Sequence, residues 1–266
     1  MTKFKYRNLT FYFTEVGSDT VVKTIKSGRF YEQEMLQYLE KFDFDNSTIV
    51  DVGAHIGNHS IYFATFTNCD KVLAIEPNPR TYSILAKNIK NNKLENRIET
   101  FNLALGDKAG KVSIQEGPDG KLGSSRVIEG NEIKVRTLDA ILKNNGVVSL
   151  IKIDVEGYEV NVLRGAKDIL KKQSPLLAVE AQTWKAKRSL DKILHPLGYR
   201  AVRVFNRTDT YIYVKDRYPY PPLNWLLADV FLSLERLIRI IRRNKYFEKL
   251  ISFKPIRKLI SVIKPR

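Results

Sequence analysis

Short apolar runs alternate with amphipathic segments over most of the chain. From Thr48 onward the runs are TIVDV, KVLAIE, IETFNLAL, VSLIKID and PLLAVEA. The segments between them place apolar residues at helical spacing, the pattern of a mostly parallel sheet covered on both faces. One helix begins near Gly57. A second has a readable start, with Asn78 suited to the N-cap and Pro79 to the first turn, and it ends at Asn91 and Asn92. Residues Gly110 to Val135 leave the alternation. They hold two candidate β segments, GKVSIQ and NEIKV, around the Gly-rich GPDGKLGSS, and read as a hairpin-like insertion before a helix that starts at Thr137, Leu138 and Asp139. A helix through Ile193 follows the fifth run. Then come YRAVRVF and TYIYVK, separated only by Asn206 to Asp209, so they are expected to pair antiparallel. The first 45 residues read as two short strands, FYFTEVG and DTVVKTI, and a helix in YEQEMLQYLEKF.

Composition narrows the class. The 266 residues are 43% hydrophobic and 28% charged, as in an ordinary globular protein. The single cysteine, Cys69, excludes an internal disulfide framework and a cysteine-based zinc cluster, and three scattered histidines make structural zinc unexpected. The N-terminal MTKFKYRNLTFYF lacks the apolar core of a signal peptide, and the 18-residue stretch without Asp, Glu, Lys or Arg, residues 52–69, is interrupted by Gly53, His55, Gly57, Asn58, His59 and Asn68, so a spanning helix is not expected. A cytoplasmic protein is the expectation.

The net charge of +16 is uneven. Residues 218–266 carry 11 Lys/Arg against 3 Asp/Glu, half of the excess in the last fifth of the chain. After YPYPP, the residues Leu223, Leu226, Leu227, Val230, Phe231, Leu234, Leu237, Ile238 and Ile241 keep helical spacing, with Arg236, Arg239 and Arg243 on another face. A second segment, Phe247 to Ile263, is also apolar and basic. Such helices, with Trp225 near one end, suit the anionic inner face of a membrane; packing on the catalytic domain or on a second subunit is the alternative. Nucleic acid is a less fitting partner, because the charges accompany a wide apolar stripe. The expected organisation is an N-terminal substrate or cap segment (1–45), a cofactor-binding catalytic domain (46–217) and a basic helical tail (218–266).

The stretch IVDVGAHIGNHS, Ile49 to Ser60, carries the first chemical signal. Gly53 and Gly57 let backbone approach a ligand and bring the next helix against the strand. A G-x-G-x-x-G fingerprint would have glycine at 55 and 58, where this chain has His55 and Asn58, so pyrophosphate has a poor seat. No Walker lysine follows. Asp51 would repel pyrophosphate but can orient the loop and favour a cationic amino-acid group. Glu76 ends the second run, placed to accept hydrogen bonds from both ribose hydroxyls. S-adenosylmethionine has the corresponding parts: ribose, ammonium and sulfonium, without phosphate.

DVGAHIG, AIEPNP, NLALGD, TLDAIL and LIKIDVEGYEVNVLRGA, in that order, resemble the FkbM-type family of S-adenosylmethionine-dependent methyltransferases. The resemblance runs from about Tyr31 to Lys215 and implies an α/β class I (Rossmann-like) methyltransferase sheet of seven strands, one antiparallel. It also implies O-methylation of a sugar or natural-product hydroxyl. By the same resemblance Asp51, Gly53, Ala54 and Gly57 line the methionine part of the cofactor, Glu76 holds the ribose, and Ala104 and Leu105 border the adenine. Pro77 and Asn78, next to Glu76, join the cofactor set. His55 stands where the family commonly has Asn, and it retains a polar side chain.

Methyl transfer to oxygen needs alignment and a base for the hydroxyl proton. In IKIDVEGYE, the residues Lys152, Asp154 and Glu156 share parity at the carboxyl end of the fourth run, where open α/β sheets hold ligands. Asp154 or Glu156 is the expected base, with Glu180 orienting substrate. Crowded carboxylates should raise one another's pKa. Candidate substrate contacts are Tyr31, Glu32, Ser124, Ser125, Lys152 and Glu159, although Glu159 and Glu156 could instead cap the next helix. A divalent cation bridging Asp154 and Glu180 suits their oxygen ligands, but nothing in the spacing demands one and no metal site is assigned. His195 reads as structural, and His59 could face either way. The expected activity is O-methylation of a sugar, glycan or lipid-linked glycan. The rivals are an RNA methyltransferase and an inactive cofactor-binding scaffold at a membrane surface.

Overall fold

The computed structural model describes residues 1–14, 19–117, 125–143 and 145–215. The tail over 218–266, Ser124 and most of the Gly-rich stretch before it lie outside the described residues.

The chain opens with an antiparallel hairpin, β1 (Thr2–Tyr6) and β2 (Leu9–Phe13), followed by helices α1 (Thr20–Lys26) and α2 (Gln33–Leu39). The stretch DTVVKTI, expected as a strand, is therefore α1. Asp19 decides this: its Oδ1 accepts from the Val22 amide at 2.9 Å, an N-cap, and Val22 and Ile25 then fall on one buried face. The strand FYFTEVG was expected to form is described only as far as Phe13, in β2.

The alternating region begins with β3 (Thr48–Val52), α3 (Asn58–Phe66), β4 (Lys71–Ile75), α4 (Pro79–Asn91) and β5 (Ile98–Phe101). Asn78 caps α4 as expected, its Oδ1 accepting from the Arg80 amide at 2.9 Å. The run IETFNLAL divides after β5. Ala104–Leu105 leaves the main sheet as β6 and pairs with a long arm, β7 (Gly110–Gln115) and β8 (Arg126–Arg136), in a separate three-stranded sheet. The insertion is thus the hairpin expected, with one extra strand. Next come α5 (Leu138–Leu142), β9 (Val148–Ile153), α6 (Glu159–Arg164), α7 (Lys167–Lys172), β10 (Leu176–Glu180), α8 (Trp184–Leu194), β11 (Tyr199–Phe205) and β12 (Thr210–Lys215).

Among the described residues, seven strands form one sheet in the order β11–β12–β10–β9–β3–β4–β5, with β12 antiparallel to both neighbours. This is the class I methyltransferase sheet. Chain order reverses beside β3, where β4 and β5 go one way and β9 and β10 the other. That switch point opens a crevice at the strands' carboxyl ends. Side-chain alternation builds two cores. Ile49, Val72, Leu150 and Ala178 face α2, α3, α4 and the N-terminal hairpin. Val50, Leu73, Ile151 and Val179 face α5 to α8. Asp51, Lys152 and Glu180 share the parity of the first set, so three charged side chains stand on the α3 face of a sheet whose central strands are buried throughout.

α3 is buried along most of its length because the N-terminal hairpin covers its outer side. Phe30 is the hub of this contact. Its ring lies 5.2 Å from Phe4, 4.9 Å from Phe11 and 5.1 Å from Tyr62, each nearly edge to face. The first 45 residues are thus continuous with one of the two cores. Among the described residues no helix is long and apolar enough to cross a membrane. Replacement of Phe30 by Ala should lower the unfolding free energy by about 3–5 kcal/mol in urea titrations. A loss below about 1 kcal/mol would show that the hairpin adds little to the core.

Candidate active site

The crevice at the switch point holds a cavity of about 390 Å³. One wall is the glycine loop after β3. The Gly53 and Ala54 amides both donate to Ile75 O, at 2.9 and 3.0 Å, which straps the loop to the end of β4. Gly53 has φ +77°, and a Cβ there would lie 1.8 Å from the Asp154 carbonyl oxygen. Glycine is required because the loop crosses the end of β9, a different reason from the approach to a ligand that the sequence suggests. Gly57, φ +93°, faces away from the cavity, and its Cβ would press on Leu85 of α4.

Glu76 closes this wall. Its Oε2 accepts from the His55 amide and its Oε1 from the Asn78 amide, each at 2.9 Å, so backbone fixes the carboxylate with lone pairs to spare. Burial pushes its pKa up to about 7, against the two backbone bonds. Pro77, Asn78, Leu103, Ala104 and Leu105 continue the lining. His55 occupies a left-handed conformation, φ +50°, with Nε2 3.4 Å from Asp19 Oδ2, and burial lowers its pKa.

Asp51 does not reach the cavity. It is fully buried beneath it, 3.3 Å from Lys152 Nζ and bonded at 2.6 Å by Ser60 Oγ from α3. Burial works to raise its pKa, but the Lys152 charge, His59 and the Ser60 bond bring it below the ordinary value. Direct contact with a ligand is therefore replaced by a role underneath the loop. Lys152 is equally committed. Its ammonium donates to Gly53 O at 3.2 Å and lies 3.6 Å from Asp154 Oδ2. Burial would depress its pKa, but Asp51, Asp154 and Glu32 hold it above the usual lysine range.

The opposite wall is acidic. Asp154, Glu156 and Glu180 each bring a carboxylate oxygen within 4.8 Å of the others. Glu156 takes a left-handed conformation, φ +55°, and its Oε2 accepts from Gln182 Nε2 at 2.6 Å. Burial and then the Asp154 charge push its pKa to about 7; burial, Asp154 and Glu156 push Glu180 to about 10. Mutual elevation, expected from the sequence, holds for these two, with burial the larger cause. Glu159 is not part of the wall. Its Oε1 accepts from the Val155 and Gly157 amides, at 3.2 and 3.0 Å, closing the turn before α6. This is the capping alternative, not a substrate contact.

Of the other candidate substrate residues, Tyr31 and Ser125 line the cavity. Glu32 turns instead to His59, whose Nε2 is 3.2 Å from its Oε2, so His59 faces inward. Several lining residues carried no signal in the sequence. Asn58 exchanges hydrogen bonds with the backbone of Tyr31, at 2.9 and 3.1 Å, and so ties the N-terminal segment to the glycine loop. Thr20 and Lys23 of α1 and Thr208 from the β11–β12 turn also reach the cavity. The available clue was the cluster of polar Asn58, His59 and Ser60 opening a helix that is otherwise mostly apolar.

The profile of the Methyltransferase FkbM domain matches residues 51–201, more than half of the chain. The chain belongs to the FkbM methyltransferase family. Hexuronic acid methyltransferase AglP of Haloferax volcanii is 27% identical over 143 residues, covering 52% of this chain and 58% of that one. Methyltransferase sdnD of Sordaria araneosa is 27% identical over 159 residues, covering 46% and 61%. The chain thus spans about three fifths of the length of these curated relatives. A crystal structure of a methyltransferase FkbM from Methylobacillus flagellatus aligns over 65% of this chain and 44% of that one, at 22% identity and a TM-score of 0.46, too loose to carry weight.

A carboxyl whose folded pKa is raised binds more protons folded than unfolded, so its contribution to stability falls as pH rises from about 4.5 to about 7. Glu76→Gln should therefore shrink the loss of unfolding free energy between pH 5 and pH 8 by about 2 kcal/mol. Urea titrations at both pH values check this. An unchanged difference would mean that Glu76 is ionised throughout.

Proposed function

We propose that the protein transfers a methyl group from S-adenosylmethionine to a hydroxyl of a sugar, glycan or lipid-linked glycan. The observation that carries this reading is the division of one cavity into a carboxylate-and-apolar wall and an acidic wall on either side of the switch point. The first wall suits the donor. Glu76 is held where its free lone pairs can accept two ribose hydroxyls, and Leu103, Ala104 and Leu105 offer an apolar border for adenine. Gly53, Ala54 and His55 are left for the amino-acid end, with Pro77 and Asn78 beside the ribose. Lys152 on β9, beneath the loop, is tied to Asp51 and Gly53 and is not available to a pyrophosphate.

Bound S-adenosylmethionine supplies a methyl carbon on sulfonium that an oxygen nucleophile can displace. The chain's own residues bring that nucleophile into line and take its proton. Asp154 or Glu156 accepts the proton, and Glu180, fixed at the end of β10, orients the hydroxyl. Tyr31 and Ser125, which line the same cavity, are assigned to the acceptor. A carbohydrate acceptor is favoured by the printed activity of the Haloferax relative. The excess of positive charge over residues 218–266 fits an enzyme that meets lipid-linked acceptors at the anionic inner face of a membrane.

Isothermal titration should show S-adenosylmethionine binding and no comparable binding of NAD; the reverse preference would remove the cofactor assignment. Asp154→Asn should lower methyl transfer, read by mass analysis over a panel of glycans, lipid-linked glycans and RNA, by roughly 10²–10⁴-fold with donor affinity nearly kept. Methylation of RNA alone would redirect the acceptor, and full activity in the variant would exclude Asp154 from the chemistry.

A further inference from the structure

The acidic wall is built more firmly than proton acceptance alone requires. Its three carboxylates come from two separate chain positions, the turn after β9 and the end of β10, yet each presents an oxygen to the same point, within 4.8 Å of the others. Glu180 is only 8% exposed, and among the described residues no donor reaches its Oε2. A buried carboxylate oxygen without a donor is costly unless a ligand completes it. The adjacent backbone is also set for this purpose. Glu156 is held in a left-handed conformation, and Gln182, two residues beyond Glu180, donates to the Glu156 oxygen at 2.6 Å. Positive charge facing the group comes from Lys152, which is shared with Asp51, and from Arg126 at the start of β8. Glu180 shares a hydrogen bond with Asp154, and two partly committed cations face three acids.

We propose that Asp154, Glu156 and Glu180 form a site for one hard divalent cation, magnesium or manganese, whose remaining positions receive hydroxyl oxygens of the acceptor. Ligand chemistry selects this class. The group is all oxygen, with neither histidine nor thiolate, which disfavours zinc and copper. Bonds of about 2.1 Å put oxygens on opposite sides of magnesium roughly 4.2 Å apart and neighbouring oxygens roughly 3.0 Å apart, so the side chains turn inward from a spread of up to 4.8 Å to ligate one ion. Three protein ligands leave positions open, as magnesium usually retains. Gln182 would act behind the ligands, fixing the Glu156 carboxylate from its far oxygen. A hydroxyl ligated to the ion gives up its proton more readily, and each carboxylate has a second oxygen able to accept it. The ion's role toward an acceptor rests on the methyltransferase reading; the site itself does not.

The test uses the full chain and manganese alone. Titration followed by electron paramagnetic resonance should show one saturable Mn²⁺ per chain, displaced by Mg²⁺. Glu180→Gln and Gln182→Ala should each weaken binding by roughly 10- to 100-fold, with thermal melts confirming that both variants fold. Absence of saturable binding, or equal affinity in wild type and both folded variants, overturns the proposal. Methyl transfer that is undiminished in EDTA overturns the catalytic use of the ion while leaving the methyltransferase reading intact. Stoichiometric Mn²⁺ binding without methyl transfer to any acceptor would uphold the site and count against that reading.

Discussion

Removing an ammonium group from water costs several kcal/mol unless opposite charge and hydrogen bonds meet it in the interior. Lys152 meets that condition with Asp51 at 3.3 Å, the Gly53 carbonyl at 3.2 Å and Asp154 at 3.6 Å. Much of the site's geometry follows from this one group. Asp51 and Lys152 are direct register partners across β3 and β9, so their ion pair fixes how these two strands are aligned. The same ammonium takes the carbonyl at the start of the glycine loop and one oxygen of the acidic wall. The glycine-loop wall and the acidic wall are thereby tied to a common buried point. Removing the charge would leave Asp51 buried and uncompensated beneath the loop, a larger penalty than the pair itself is worth.

The parts of the molecule that repeat with a clear period were legible in the sequence. Five parallel runs, the capped helix after Asn78, the hairpin arm and the terminal antiparallel pair are all where periodicity and turn residues put them, because each is decided locally. DTVVKTI misled because five β-branched residues favour a strand, whereas the cap at Asp19 and the burial of Val22 and Ile25 favour a helix, and tertiary packing wins. The strand β1 was missed because only Phe4 and Tyr6 carry its alternation over five residues, and it pairs only with its own hairpin partner. In the site, parity alone placed Lys152 and Asp154 on the same side. The partnership of Lys152 with Asp51 was not legible, because it depends on the register of strands about a hundred residues apart. Glu159 and Glu32 look like substrate contacts in a sequence, but each carboxylate is turned toward a neighbour that only the fold supplies.

Strain and support are distributed in the same way around the cavity. Gly53, His55 and Gly57 in the glycine loop and Glu156 and Gly157 in the turn after β9 all have positive φ, a conformation that persists in His55 and Glu156 only if their surroundings over-determine it. For the first wall the support comes from outside the sheet. Asn88 of α4 is wholly buried, donates to Ile56 O at 2.9 Å and accepts from the Thr14 amide at 2.6 Å. Asn58 makes the corresponding bonds to Tyr31. The N-terminal segment thus braces the glycine loop at two points as well as covering α3. Its aromatic core and the loop should loosen together, and that coupling explains why a segment outside the α/β alternation contributes Tyr31, Thr20 and Lys23 to the cavity. The rest of the cavity is lined by residues before the sheet, by the β7–β8 arm and by the β11–β12 turn, none of which carries the Asp51–Lys152 pair. On the proposed reading, donor recognition is bound to the fold's most constrained interaction, whereas acceptor recognition is built from elements outside the central strands.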